Sequence, residues 1–258
     1  MTVKPGVSPL YFLHLHKCGG TTFIKAAAAN GHRFALPGNA GMPFTSEAWT
    51  AVVQPFWKAG SVWEFWKETD LESVTAKIDT MLAAGGTCIV QEWGYYDPRL
   101  WRRFTRALCI RHPIDRLYSD FLHMEEGGHH VARGTSFVDW VRAGVADQHA
   151  RLYLRQLGAG SKEAALEVLS DFEVIVIQEH FRETLEQMRR HGWASTDSEE
   201  HFKSWTLRRT KTGREELAAH ADALAALEER LAVEIQIYER AVALALGRDA
   251  PPAAHLPG

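Results

Sequence analysis

One stretch limits what this chain can become: residues 10–31, LYFLHLHKCGGTTFIKAAAANG. Leu10 to Leu15 is an apolar run of the kind that forms a short strand covered on both faces. Ala26 to Ala29 lie in a strong helix former, and Asn30-Gly31 is a helix-stop signal. Between strand and helix stand His16, Lys17, Cys18, Gly19, Gly20, Thr21 and Thr22. Paired glycines allow backbone dihedrals that other residues avoid, and let a ligand approach closely. The first amides of a helix have no intrahelical partner and suit an anion. Lys17 adds a mobile positive charge, and Thr21 and Thr22 add hydroxyl donors. The turn has the chemistry of a cradle for a phosphate-like group. It is not the usual triphosphate loop, because its lysine precedes the glycines and the Gly-Lys-Ser/Thr ending is missing. The plain alternative is a strand–turn–helix corner with a surface lysine.

A second stretch, CIRHPIDRLYSDF at 109–121, has the same build. Phe104 to Ile110 reads as a strand, which puts Arg111 at its carboxyl end, where open α/β sheets bind ligands. Pro113 suits the first turn of a helix. Ile114, Leu117, Tyr118, Phe121 and Leu122 recur at the helical period, and Ser119 falls off that stripe, on a face with Arg116 and His123. The strand end and the helix face can present Arg111 and Ser119 to one anion. Arg116 either touches that anion or pairs with Asp115 or Asp120.

Further elements follow from the same signals. Short strands are predicted at 32–36, 87–92 and 172–177, and a Gly/Pro/Asn loop at 37–43. Helices are predicted at 71–82, from Pro98 to about Arg103, from Thr135 or Ser136 through Val141, and at 150–157, 162–169 and 181–190. A long helical stretch, one helix or two, is predicted at 215–246. Strands alternating with helices make the fold class α/β, doubly wound, with three layers: a central, mostly parallel sheet and helices on both faces. The expected organisation is one domain over 1–246, with a variable acceptor-side insertion at 37–84 and a flexible tail at 247–258.

Composition narrows the partners. The 258 residues carry a net charge of -3, which argues against a nonspecific nucleic-acid binder. The cysteines, Cys18, Cys88 and Cys109, match neither a metal spacing nor a disulfide framework, which favours a reducing, cytoplasmic setting. No metal and no transmembrane segment are expected. Several of the nine tryptophans crowd the first half, where they either wall a substrate site or pack the core. The long C-terminal helix offers a surface for pairing with a second copy.

With both stretches in view, the chain resembles the sulfotransferases that use 3'-phosphoadenosine 5'-phosphosulfate (PAPS), in the carbohydrate branch typified by heparan sulfate 2-O-sulfotransferases. The family's first motif, FxHxPKxGGTT/S, is matched by Phe12, His14, Lys17, Gly19, Gly20, Thr21 and Thr22; His16 replaces its proline, and Cys18 its usual threonine. Its second, RxPxxRxxSxY/F, is matched by Arg111, Pro113, Arg116, Ser119 and Phe121. Segments at 148–157, 172–188 and 207–241 resemble later parts of the family. The resemblance implies a P-loop-like fold. Lys17, Cys18, Gly19, Gly20, Thr21 and Thr22 would wrap the 5'-phosphosulfate, and Arg111 and Ser119 would hold the 3'-phosphate. Arg208, Thr210 and Lys211 would lie near the nucleotide.

The implied activity is sulfuryl transfer to a hydroxyl of a sugar, glycolipid or small metabolite, with adenosine 3',5'-bisphosphate (PAP) as product. Lys17 is the expected stabiliser of the leaving phosphate. The closest branch has a catalytic histidine after the third strand, where this chain has Gln91-Glu92-Trp93. Glu92, beside aromatics that exclude water, is the expected general base, and His14 the next candidate; a bracing carboxylate and a core histidine are the alternatives. Two rival functions stand beside this one: a nucleotide-dependent phosphoryl transferase, and a nucleotide-binding protein of the same fold without turnover.

Overall fold

A computed structural model describes residues 9–29, 32–35, 42–43, 71–83, 86–91, 96–129, 132–144, 146, 151–191 and 212–247. Strands β1 (Leu10–His14), β2 (Arg33–Ala35), β3 (Met42–Pro43), β4 (Cys88–Gln91), β5 (Thr105–Ile110) and β6 (Val174–Ile177) form one sheet in the order β3-β2-β4-β1-β5-β6. All pairings are parallel except β2 with β3. The fold is therefore α/β with a mostly parallel sheet. The loop expected at 37–43 contributes the short antiparallel edge, where Pro43 lies opposite Arg33. An edge strand tolerates proline because one side of its backbone needs no ladder bond.

β1 is central and every residue in it is buried, as its apolar run predicts. Its two faces meet different neighbours. Phe12 stacks on Phe23 of helix α1 (Gly20–Ala29), with centroids 3.9 Å apart. Tyr11, on the opposite face, stacks at 4.0 Å on Trp101 of helix α3 (Pro98–Trp101). Helices thus cover both faces of the central strand. Trp101 is fully buried, so this tryptophan packs the core and lines no substrate site. Trp49, Trp57, Trp63, Trp66 and Trp93 lie outside the described residues.

The remaining helices are α2 (Leu71–Ala83), α4 (Pro113–Glu126), α5 (Phe137–Arg142), α6 (Leu152–Gln156), α7 (Lys162–Val168), α8 (Phe181–Arg190), α9 (Gly213–Leu217), α10 (Ala221–Arg230) and α11 (Ala232–Leu246). The stretch expected at 215–246 is thus three helices. A capping box of Thr212 and Glu215 starts α9. Buried Leu231 separates α10 from α11. This break serves two cores. Leu227 and Leu231 join a cluster with Ile114, Phe121, Phe137 and Trp140, whereas Ile237 and Ala241 of α11 join the main core around the sheet.

After β1 the chain passes through α1 to the β2 side, and after β5 it passes to the β6 side. β1 and β5 are neighbours, in register from Leu10–Thr105 to His14–Cys109. The connections leave these adjacent strands in opposite directions. Such a reversal point, at the carboxyl ends of the strands, is the general ligand position of such sheets. Both motif stretches start at this point. Among the described residues, no helix is long and apolar enough to cross a membrane.

Candidate functional site

The first corner is a tight turn from β1 into α1. Lys17 (φ 63°) and Gly19 (φ 86°) both take left-handed backbone. The Cys18 amide donates to the Leu15 carbonyl at 3.1 Å, which closes the turn. That amide is spent inside the protein and is not available to an anion, contrary to the cradle expected from sequence. Gly20, Thr21 and Thr22 are the first residues of α1, and helix geometry leaves their amides without i−4 carbonyls. They remain the turn's donors.

Close packing requires glycine at 20, and left-handed backbone favours it at 19. A Cβ on Gly20 would sit 2.0 Å from Cδ2 of His14, and one on Gly19 would sit 1.8 Å from Oε1 of Gln178. His14 is only 6% exposed and stacks on Phe12, with centroids 5.7 Å apart. It braces the start of α1 from beneath, a poor position from which to reach an acceptor hydroxyl. His16 belongs to the turn, not the strand, and its Nε2 lies 3.3 Å from Asp120 Oδ1 on α4.

Cys18 is the clearest correction. Its side chain is fully buried, with Sγ 3.7 Å from the Tyr153 hydroxyl. Burial pushes its thiol up to about 11, against the opposing pull of Arg116, Tyr153 and Arg111. Desolvation outweighs the pull toward thiolate that a helix start exerts. The residue binds nothing through its side chain in the cradle.

The second corner follows β5. Arg111 has a side chain 21% exposed, 4.0 Å from Glu179 Oε1. Its Nε is buried and has no hydrogen-bond partner among the described residues. Glu179 accepts instead from the His112 amide at 2.9 Å and from the Tyr238 hydroxyl at 3.1 Å. Ser119 is buried, as are Asp115, Arg116 and Asp120 on the same helix. Helix α4 therefore buries a polar face as well as its apolar stripe. Asp115 is held by Arg214 at 2.9 Å, and Asp120 Oδ1 lies 3.3 Å from His16 Nε2. Arg116 itself is 1% exposed, with its guanidinium 5.8 Å from the Tyr153 ring centroid.

The corners meet. Cys109 Sγ, at the end of β5, donates to the Cys18 carbonyl at 2.6 Å. The positive charge of Lys17 reaches α4: burial first, then Lys17 and His16, hold the His123 imidazole below its ordinary value of 6.5. The two motif turns are thus joined, through Cys109 on the Cys18 carbonyl and through the Tyr153 hydroxyl between Cys18 and the Arg111 carbonyl. Glu92, Arg208, Thr210 and Lys211 lie outside the described residues, as do the side chains of Thr21 and Thr22.

Sequence reasoning missed Gln178, Glu179, Tyr153 and Glu234. Gln178 follows β6 as Arg111 follows β5, since Ile110 and Ile177 are in register. Position after a parallel strand was the signal that could have found it. Tyr153 and Glu234 carried no local signal, because their partners are 42 and 81 residues away.

His112 gives a pH test of this corner. Burial, then the Arg214 charge, lowers its imidazole from 6.5 to about 4, with Asp115 opposing. The folded state holds fewer protons than the unfolded one, so stability is complete above 6.5 and declines as pH falls toward 4. For a ring partly open to solvent the loss at pH 5 is about 1 kcal/mol. Urea unfolding at pH 7.5 and 5 is expected to show a steeper acid loss for the wild type than for His112→Asn. Equal pH dependence in the two proteins discards the assignment.

No protein-family model matches this chain, and no curated protein or solved structure matches it.

Proposed function

We propose that this protein is a sulfotransferase with a P-loop-like fold. It takes the sulfuryl group of PAPS to a hydroxyl of a sugar, glycolipid or small metabolite and releases PAP. The observation that carries this reading is the meeting of two anion-binding corners at the reversal point of the sheet. One corner offers helix-start amides and Lys17. The other offers Arg111, whose buried Nε makes no hydrogen bond among the described residues and lies 4.0 Å from Glu179 Oε1, and Ser119 on the helix that follows. A bound phosphate would give that Nε a charge-assisted acceptor.

In this reading, the amides of Gly20, Thr21 and Thr22 hold the 5' end, and Arg111 and Ser119 the 3'-phosphate. When bound, PAPS supplies the transferable sulfuryl group. Lys17 brings positive charge to the phosphate side, where negative charge grows during transfer. Glu92 is proposed to take the acceptor proton, at the carboxyl end of β4. His14 is assigned a bracing role, because it lies under Gly20. Arg208, Thr210 and Lys211 are retained as further nucleotide contacts. The buried free thiols suit the proposed cytoplasmic setting.

Calorimetry with adenosine 3',5'-bisphosphate tests the pocket. The wild type is expected to bind it in preference to ATP with magnesium, and Arg111→Ala to bind about ten- to a hundredfold more weakly. Preference for ATP points to the phosphoryl-transferase alternative. Equal affinity in wild type and Arg111→Ala removes Arg111 from the site.

A further inference from the structure

We propose that Tyr153 is a positioning residue that holds the two anion-binding corners in one geometry, so that they engage the donor as a unit; this rests on the donor reading above. Tyr153 is fully buried. Its hydroxyl donates to the Arg111 carbonyl and lies 3.7 Å from Cys18 Sγ. Cys18 sits directly before the glycine pair, and its carbonyl is held by Cys109. One oxygen therefore touches the backbone of the second corner and the turn of the first. The guanidinium of Arg116 lies near the ring, 5.8 Å from its centroid.

The tyrosine is itself fixed from a distance. Glu234 of α11, 2% exposed, accepts from the amides of Tyr153 at 2.9 Å and Leu154 at 3.2 Å. These are early amides of α6, which has only five residues and starts at Arg151 in left-handed backbone with no side-chain cap of its own. The buried carboxylate serves as that cap from another helix. Support thus runs from α11 through α6 to both corners. A phenylalanine at 153 keeps the ring and removes only the shared oxygen.

The test is a double-mutant cycle of Tyr153→Phe and Arg111→Ala, read by calorimetric affinity for adenosine 3',5'-bisphosphate. Tyr153→Phe alone is expected to weaken binding about tenfold, and in the Arg111→Ala background less than about twofold. Without ligand, amide exchange in Tyr153→Phe is expected to rise at 15–20 and 111–116 together and to stay constant in β6. Glu234→Gln, in the same cycle, gives a second route should Tyr153→Phe fail to fold. Additive losses, or unchanged exchange at both corners, overturn the inference alone. Absence of binding by the wild type overturns the donor reading and this inference with it.

Discussion

Lys17→Ala is expected to lower sulfuryl transfer about 10²–10³-fold while leaving the fold nearly as stable. On the proposed sulfotransferase reading the effect on rate is large because the lysine's charge would meet phosphate charge that develops only as the bond to sulfur breaks. Interactions made chiefly in the transition state act on turnover more than on binding. The effect on stability is small because the residue is only partly buried. The backbone offers a control. At φ 63° the residue occupies a region that glycine enters freely. Lys17→Gly should therefore be as inactive as Lys17→Ala but up to about 1 kcal/mol more stable than it. Release of PAP from PAPS, measured with a panel of hydroxyl acceptors, reads the first claim, and thermal unfolding reads the second. Wild-type turnover in either variant sinks the role given to Lys17.

Gly20→Ala is expected to destabilise the protein by about 3 kcal/mol. The added methyl would meet three atoms of the His14 ring at 2.0 to 2.4 Å. The ring is buried and stacked on Phe12, so it has nowhere to swing. Gly19 is a different case. Its added methyl would meet the far end of Gln178, which can move, and the main cost is then the left-handed backbone at φ 86°. The Gly20 prediction has an internal check. In a His14→Ala background the obstruction is gone, and Gly20→Ala should cost little. Denaturant unfolding of the four proteins measures this. An equal cost in both backgrounds would show that something other than His14 dictates glycine at 20.

Helix α4 shows why local reading goes only part of the way. Its apolar positions Ile114, Leu117 and Phe121 repeat at the helical period, and all are buried as that pattern requires. The opposite face carries Asp115, Arg116, Ser119 and Asp120, which by the same rule belongs in water. It is buried instead, because Arg214 and His16 meet the carboxylates. Partners of that kind come from 99 and 104 residues away and leave no mark on the helix's own period. The thiol of Cys18 makes the same point. A helix start favours the thiolate locally, but full burial desolvates the sulfur.

From residue order alone came the parallel strands, the helices between them and the two strand-to-helix corners with their cations and glycines. Each is written in neighbouring residues: apolar runs, helical periods, stop signals. The tertiary structure alone decided that β5 lies beside β1, so that the two corners are brought together. It also decided that His14 braces a helix start, and that Tyr153 and Glu234 tie the corners together. Strand order and the burial of polar groups depend on contacts between distant segments, and no local pattern encodes them.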